Sequence, residues 1–143
     1  MSQTVDDALR DAVLTGDDYV YRFVTLPTNG ITAAAGVVAQ AGNPFTALLL
    51  DDKEITLMIE DEDFEQFKKR LLDHEVSEIR YRLITFDVEL APTLVGFMGR
   101  VATVLAEAGI SVMPFAAFKR DHIFVAVDDY DTAMRVLRDL QAS

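Results

Sequence analysis

The 143-residue chain has no cysteine. That excludes a disulfide scaffold, a thiolate metal site and a cysteine nucleophile, and it fits a reducing compartment. Basic residues are few: 13 Lys and Arg stand against 24 Asp and Glu, for a formal net charge of −11. An affinity for phosphate backbones comes from clustered Lys and Arg, so the balance argues against a nucleic-acid partner. The N-terminus Met1-Ser2-Gln3-Thr4-Val5-Asp6-Asp7 lacks the basic and apolar regions of a secretory signal. The longest uncharged stretch, residues 23–50, is interrupted by Pro27, Asn29, Gly30, Gln40, Gly42, Asn43 and Pro44. A spanning helix needs about 20 predominantly apolar residues, so this stretch reads as strand, short helix and strand rather than a membrane segment. A cytoplasmic protein is expected, of one compact domain or two very small ones.

Catalytic signatures are also missing. The serines Ser2, Ser77, Ser111 and Ser143 sit in no G-x-S-x-G elbow, and there is neither a Walker loop nor a G-x-G-x-x-G turn. Two isolated histidines without cysteine make a poor metal set. His74 reads as a surface charge at a helix C-terminus, and His122 as a strand-start residue at an interface. Asp87 and Glu89 share one strand face; paired carboxylates can do acid–base work, but a solvated strand end is the simpler reading. The run Glu60-Asp61-Glu62-Asp63 reads as a solvated helix start, and Phe97, Phe115, Phe118 and Phe124 as core.

What is present is a repeat. Tyr21-Arg22-Phe23-Val24-Thr25-Leu26 returns as Tyr81-Arg82-Leu83-Ile84-Thr85-Phe86. Val38-Ala39-Gln40-Ala41-Gly42 returns as Leu105-Ala106-Glu107-Ala108-Gly109, and Pro44-Phe45-Thr46-Ala47-Leu48 as Pro114-Phe115-Ala116-Ala117-Phe118. Ile55-Thr56-Leu57-Met58-Ile59 returns as Ile123-Phe124-Val125-Ala126-Val127. The order is kept while the spacing drifts between 60 and 70 residues, so two copies of about 60 residues with different loops are implied.

Residues 19–26 and 81–90 are rich in Val, Ile, Tyr, Phe and Thr and read as strands. Residues 94–108 place Leu94, Phe97, Met98, Val101, Leu105 and Ala108 at helical spacing, with Gly109 where a C′ glycine ends a helix. The matching stretch 31–41 predicts a shorter helix. Hairpins are expected about Asp51-Asp52-Lys53 and Lys119-Arg120-Asp121, each followed by a helix with Asp61 or Asp129 near its start. Each copy thus reads β-α-β-β-α, and the ferredoxin-like plan adds a final strand. For the first copy, residues 76–80 could supply it, running on into the next. For the second, only Gln141-Ala142-Ser143 follow the helix, so that strand is missing. A further helix, with Val5, Leu9, Ala12 and Val13 on one face, precedes the first copy.

Alternation along the strands is poor. Leu48-Leu49-Leu50 is consecutive, Ile123-Phe124-Val125-Ala126-Val127 has no polar residue, and Leu83 and Ile84 point to opposite faces. Both sheet faces therefore need covering, since each large apolar side chain left wet forgoes roughly 1.5–3 kcal/mol.

Gly96, followed by Val104-Leu105-Ala106-Glu107-Ala108-Gly109-Ile110-Ser111-Val112, resembles the ACT domain. The stretches Tyr81-Arg82-Leu83-Ile84-Thr85-Phe86-Asp87-Val88 and Arg120-Asp121-His122-Ile123-Phe124-Val125 resemble the small bacterial tandem-ACT proteins, distant relatives of ACT-built amino-acid sensors. The resemblance implies an α+β fold of two ferredoxin-like, ACT-type units with an extra N-terminal helix: residues 1–18 the helix, 19–78 a divergent first unit, 79–143 the second. It implies a regulatory protein without catalysis or cofactor, binding a small molecule such as an amino acid, as a homodimer. The ligand contacts carried over are Thr93, Leu94, Val95 and Gly96 with Ser111, Val112, Met113 and Pro114. Gly96 lets the backbone approach a ligand, and the helix amides after it can receive a carboxylate. A tight turn or close helix packing explains Gly96 equally well. Thr93 stands where the family often has Asp or Asn to hold a ligand amine, so the ligand class stays open. The alternative is a structural or protein-interaction module that uses the ACT sheet faces and retains no ligand.

Overall fold

The computed structural model describes residues 2–143. In chain order the elements are α1 (Val5–Asp11), β1 (Val13–Gly16), β2 (Tyr21–Leu26), α2 (Ile31–Gln40), β3 (Ala47–Leu50), β4 (Ile55–Glu60) and α3 (Asp61–Phe67). There follow β5 (Glu75–Asp87), α4 (Phe97–Glu107), β6 (Met113–Ala116), β7 (Asp121–Ala126) and α5 (Tyr130–Ala142). Two compact units result: a first of Tyr19–Tyr81, and a second in which residues 2–18 join Arg82–Ser143. No helix of the described residues is long and apolar enough to cross a membrane.

In the first unit the strands lie in the order β3-β4-β2-β5, with every pair antiparallel. The register sets Val24 opposite Leu57 and Leu26 opposite Ile55. Together with Ile59 these side chains form a buried cluster against Ala34 and Val37 of α2 and Phe64 of α3. The hairpin between β3 and β4 closes because the Asp51 carboxylate accepts the backbone N–H groups of Lys53 (2.8 Å) and Glu54 (2.9 Å).

The acidic run at the start of α3 is not a solvated face. Glu60 and Asp63 are only 3% and 7% exposed. Glu60 is the N-cap: its carboxylate accepts from the N–H groups of Glu62 (2.7 Å) and Asp63 (3.1 Å), which a helix N-terminus leaves without partners. The Asn43 amide donates to both Glu60 Oε1 (2.7 Å) and Asp63 Oδ2 (2.9 Å), holding two carboxylates side by side. Arg22 of β2 adds charge nearby, with Nη1 on Asp61 Oδ1 at 2.9 Å and its guanidinium 4.9 Å from the Phe64 ring centroid.

The second unit solves the problem of the missing strand. β5 has β7 and then β6 beside it, and β1 pairs antiparallel with its C-terminal half, Val13 opposite Asp87 and Gly16 opposite Ile84. The order β1-β5-β7-β6 repeats that of the first unit, with the last strand drawn from the opposite end of the chain. The N-terminal helix is accordingly shorter than its apolar spacing suggests. Thr4 caps it (Asp7 N–H to Thr4 Oγ1, 3.0 Å), it ends after seven residues, and Val13 lies in the strand, 59% exposed. Ala8, Leu9 and Ala12 pack into the second core with Ile84, Phe86, Val101, Leu105, Ile123 and Leu137.

Gly109 takes φ +76°, its N–H donates to the Ala106 carbonyl (2.9 Å), and the Ile110 N–H donates to the Leu105 carbonyl (2.9 Å). This is the Schellman closure of α4, with buried Ile110 and Leu105 as its apolar contact. Tyr21, Met58 and Phe124 are fully buried yet belong to neither helix-side cluster. The strands thus bury side chains on both faces, as the weak alternation implies.

Candidate functional site

The segment from β5 to α4 is held at several points. The Leu90 N–H donates to the Lys119 carbonyl (2.7 Å), and the Leu94 N–H to the Ala91 carbonyl (2.9 Å). From the N-terminus, Gln3 donates through Nε2 to the Glu89 carbonyl (2.9 Å) and accepts from the Ala91 N–H (2.9 Å). This fixes the approach to Gly96, which stands at the N-cap of α4 with φ +91°. A Cβ there would meet nothing within 4 Å, so the glycine answers a conformational demand rather than a packing one.

Gly96 offers no side chain to cap the helix. The start of α4, Gly96 to Gly99, lines a cleft of about 350 Å³, with Leu90, Pro92 and Leu94 beside it and the β6–β7 hairpin contributing the rest of the wall. The hairpin contributes Lys119, Arg120 and Asp121. Arg120 Nε lies 3.5 Å from Asp87 Oδ1. Burial pushes the Asp121 carboxyl above its usual range. Burial, and then the neighbouring Arg120 charge, pull the His122 imidazole below its own. His122 Nδ1 is 2.8 Å from Thr85 Oγ1.

Leu94 and Gly96 line this cleft, while Thr93, Leu94 and Val95 face a wider, open hollow with Ser2, Gln3, Thr4 and Val5. Ser111, Val112, Met113 and Pro114 border neither. They follow the C-terminal end of α4, an 11-residue helix about 16 Å long. Within the unit the two sets of expected contacts are therefore separated by the helix. The hairpin wall was recognisable as a turn but not as part of a site, and Gln3 carried no local signal at all. His74 is half-buried rather than a surface charge: its ring meets Phe64 edge-on at 5.4 Å, and Nδ1 donates to the Leu71 carbonyl at 2.7 Å. No group of three or more His, Cys, Asp or Glu among the described residues could hold a metal ion.

The ACT domain family model matches residues 76–139. That span, a little under half of the chain, resembles an ACT domain. A Vibrio cholerae protein of unknown function, described as a possible transport protein, is 26% identical, with 93% of this chain and 92% of that one covered at a TM-score of 0.69. Aspartokinase alpha and beta subunits superpose with a TM-score of 0.71 at 15% identity, over 88% of this chain and 95% of theirs. The ligand-free regulatory subunit of aspartate kinase from Thermus thermophilus superposes at 0.64 with 12% identity, again over 88% and 95%. Likeness at such identities shows the fold, which is α+β and ACT-like. No curated protein matches the chain. ACT domains bind small molecules, amino acids among them, and often dimerise. Of these neighbours, the Thermus thermophilus protein is described as a regulatory subunit.

Proposed function

We propose that the protein is a non-catalytic regulator of two tandem ferredoxin-like, ACT-type units that binds an amino acid, acting as a homodimer in the cytoplasm. The observation that carries this reading is the uncapped N-terminus of α4 behind Gly96, open to a cleft with Lys119 and Arg120 on its far wall. A ligand carboxylate would sit on the amides of Phe97, Met98 and Gly99, where N–H groups and helix dipole both favour negative charge. Asp121 on the same wall is the candidate partner for the amine, a role that Thr93 cannot fill as a carboxylate would. Thr93, Leu94, Val95 and Gly96 are proposed as the loop contacts. Ser111, Val112, Met113 and Pro114 would join them only across an interface, because α4 separates the two sets within the unit. A thermal-shift screen with the twenty amino acids tests the reading: a native-state ligand raises the melting temperature with concentration. A flat response to all twenty would sink it.

The second reading, an interaction module without a ligand, draws on the rims. Val95 and Phe118 are 86% and 89% exposed at the two sides of the α4 loop and hairpin. A flat amino-acid screen together with retained self-association would favour it.

A further inference from the structure

One side chain near the N-terminus does the work of a neighbouring strand. In a parallel ladder a residue bonds to the C=O and the N–H that flank one position of its partner. The Gln3 amide makes that pair of bonds. Its Nε2 donates to the Glu89 carbonyl and its Oε1 accepts from the Ala91 N–H, each at 2.9 Å. Leu90, between them, turns its N–H the other way, to the Lys119 carbonyl at 2.7 Å. Residues 89–91 are thus gripped from both sides. On one side is the hairpin that lines the cleft. On the other is the segment that leads into α1.

That segment is not a loose tail. Thr4, next to Gln3, caps α1, and Ala8 and Leu9 are buried. Gln141 of α5 donates to the Leu9 (2.9 Å) and Ala12 (2.7 Å) carbonyls at the far end of α1. A second tie runs from Asp6 Oδ1 to Arg100 Nη2 at 3.1 Å, but both side chains are exposed, at 79% and 47%, and such pairs contribute little. Gln3 also lines the open hollow beside the loop, together with Thr93 and Leu94, and Leu94 borders the cleft as well.

We infer that Gln3 is a positioning residue of the amino-acid site, and that it couples occupancy of the cleft to the docking of residues 3–12. This coupling rests on the amino-acid reading of the cleft and names the element that answers to binding there. The connection is continuous. The Lys119 carbonyl belongs to the cleft wall and holds Leu90, the groups on either side of Leu90 hold Gln3, and Gln3 adjoins the cap of α1. A molecule seated between Gly96 and the hairpin fixes the loop that joins them, and a fixed loop keeps both Gln3 bonds made. Linkage makes the effect reciprocal: releasing Gln3 weakens binding in the cleft.

Hydrogen exchange on the full chain, with and without an equimolar mixture of the twenty common amino acids, tests this. In wild type the mixture should slow exchange at residues 96–100 and also at residues 4–12. Gln3→Met is close in shape but lacks both hydrogen bonds. It should need about tenfold more of the mixture to protect residues 96–100, within the usual range for coupled sites. Once that protection is reached, residues 4–12 should show none. Gln3→Glu still accepts from the Ala91 N–H but has no donor for the Glu89 carbonyl, so it should fall between the two. Asp6→Asn, which removes only the exposed tie, should leave protection of residues 4–12 in place. Protection at 96–100 without any at 4–12 in wild type overturns the coupling and leaves the amino-acid reading standing. A merely structural clamp would lower the melting temperature of Gln3→Met yet leave the mixture's effect on residues 4–12 unchanged, and that result overturns Gln3 as the link. A mixture that slows exchange nowhere overturns the coupling and the amino-acid reading together.

Discussion

Gly16 lies directly against the Tyr130 hydroxyl, so close that a methyl group on residue 16 would overlap it. The tyrosine is not free to yield. The Arg82 guanidinium stacks 3.9 Å from its ring centroid, and Arg82 Nη2 donates to the Asp17 carbonyl at 2.6 Å. Strand β1, the first turn of α5 and β5 are thereby locked at one point. This is where the N-terminal segment is fastened into the unit whose sheet it completes.

Gly16→Ala should therefore lower unfolding stability by about 1–3 kcal/mol, the usual range for overpacking. Tyr130→Phe, which removes the overlapping oxygen, should restore part of the loss when combined with Gly16→Ala. Urea unfolding of the four proteins of the cycle measures the coupling. Additive single-mutant effects would show that residues 16 and 130 do not compete for this space.

At Gly96 the expected cost has a different origin. The site is spacious, so a substitution meets backbone strain alone at φ +91°. Gly96→Ala should destabilise by about 1–2 kcal/mol, and Gly96→Asn by less, because Asn tolerates the left-handed region. Both should also weaken any amino-acid response in the thermal-shift screen, since the amides of α4 would be re-aimed.

Much of the fold was legible because its signals are local. The twin Tyr-Arg strands, the hairpins about Asp51 and Lys119, and the helix stop at Gly109 each follow from residues within a few positions. The fastening of β1 to β5 does not. Val13, Leu14, Thr15 and Gly16 look no different from the end of the preceding helix until residues 84–87, some seventy positions away, supply a partner. The site was legible on its glycine side only. Gly96 announces itself, whereas the Lys119–Asp121 wall and the Gln3 clamp exist only once the chain has closed. The burial of Glu60 and Asp63 was equally hidden, because a run of carboxylates looks solvated unless the bridging amide is visible.

That amide makes a prediction of its own. Asn43 donates to both Glu60 and Asp63, so Asn43→Leu would leave two adjacent, buried carboxylate acceptors without it. Stripping hydrogen bonds from buried polar groups costs about 1–3 kcal/mol. Adding Asp63→Asn should recover part of this, since one charge disappears and an amide donor returns beside Glu60. Denaturant melts of the single and double variants decide the matter, and a double variant less stable than Asn43→Leu would refute the shared-amide account.

His122 links stability to pH. Its folded-state pKa is lowered, by burial first and by Arg120 second, so the native protein disfavours the imidazolium. Below the ordinary histidine value of about 6.5 the unfolded chain binds a proton that the folded chain resists. Stability should therefore rise with pH through the window between the depressed folded value and about 6.5, then level off above it. Asp121 acts in the opposite sense and at lower pH. Its folded pKa is raised, so the native state holds its proton longer and stability falls as pH climbs from about 3.8 through that raised value. Melting temperatures measured across the window just below pH 6.5 isolate the histidine, and His122→Gln, which keeps a hydrogen-bonding group near Thr85, should flatten the slope there. Arg120→Gln should reduce it only in part, because burial is the larger cause. A slope unchanged in His122→Gln would assign it to another group.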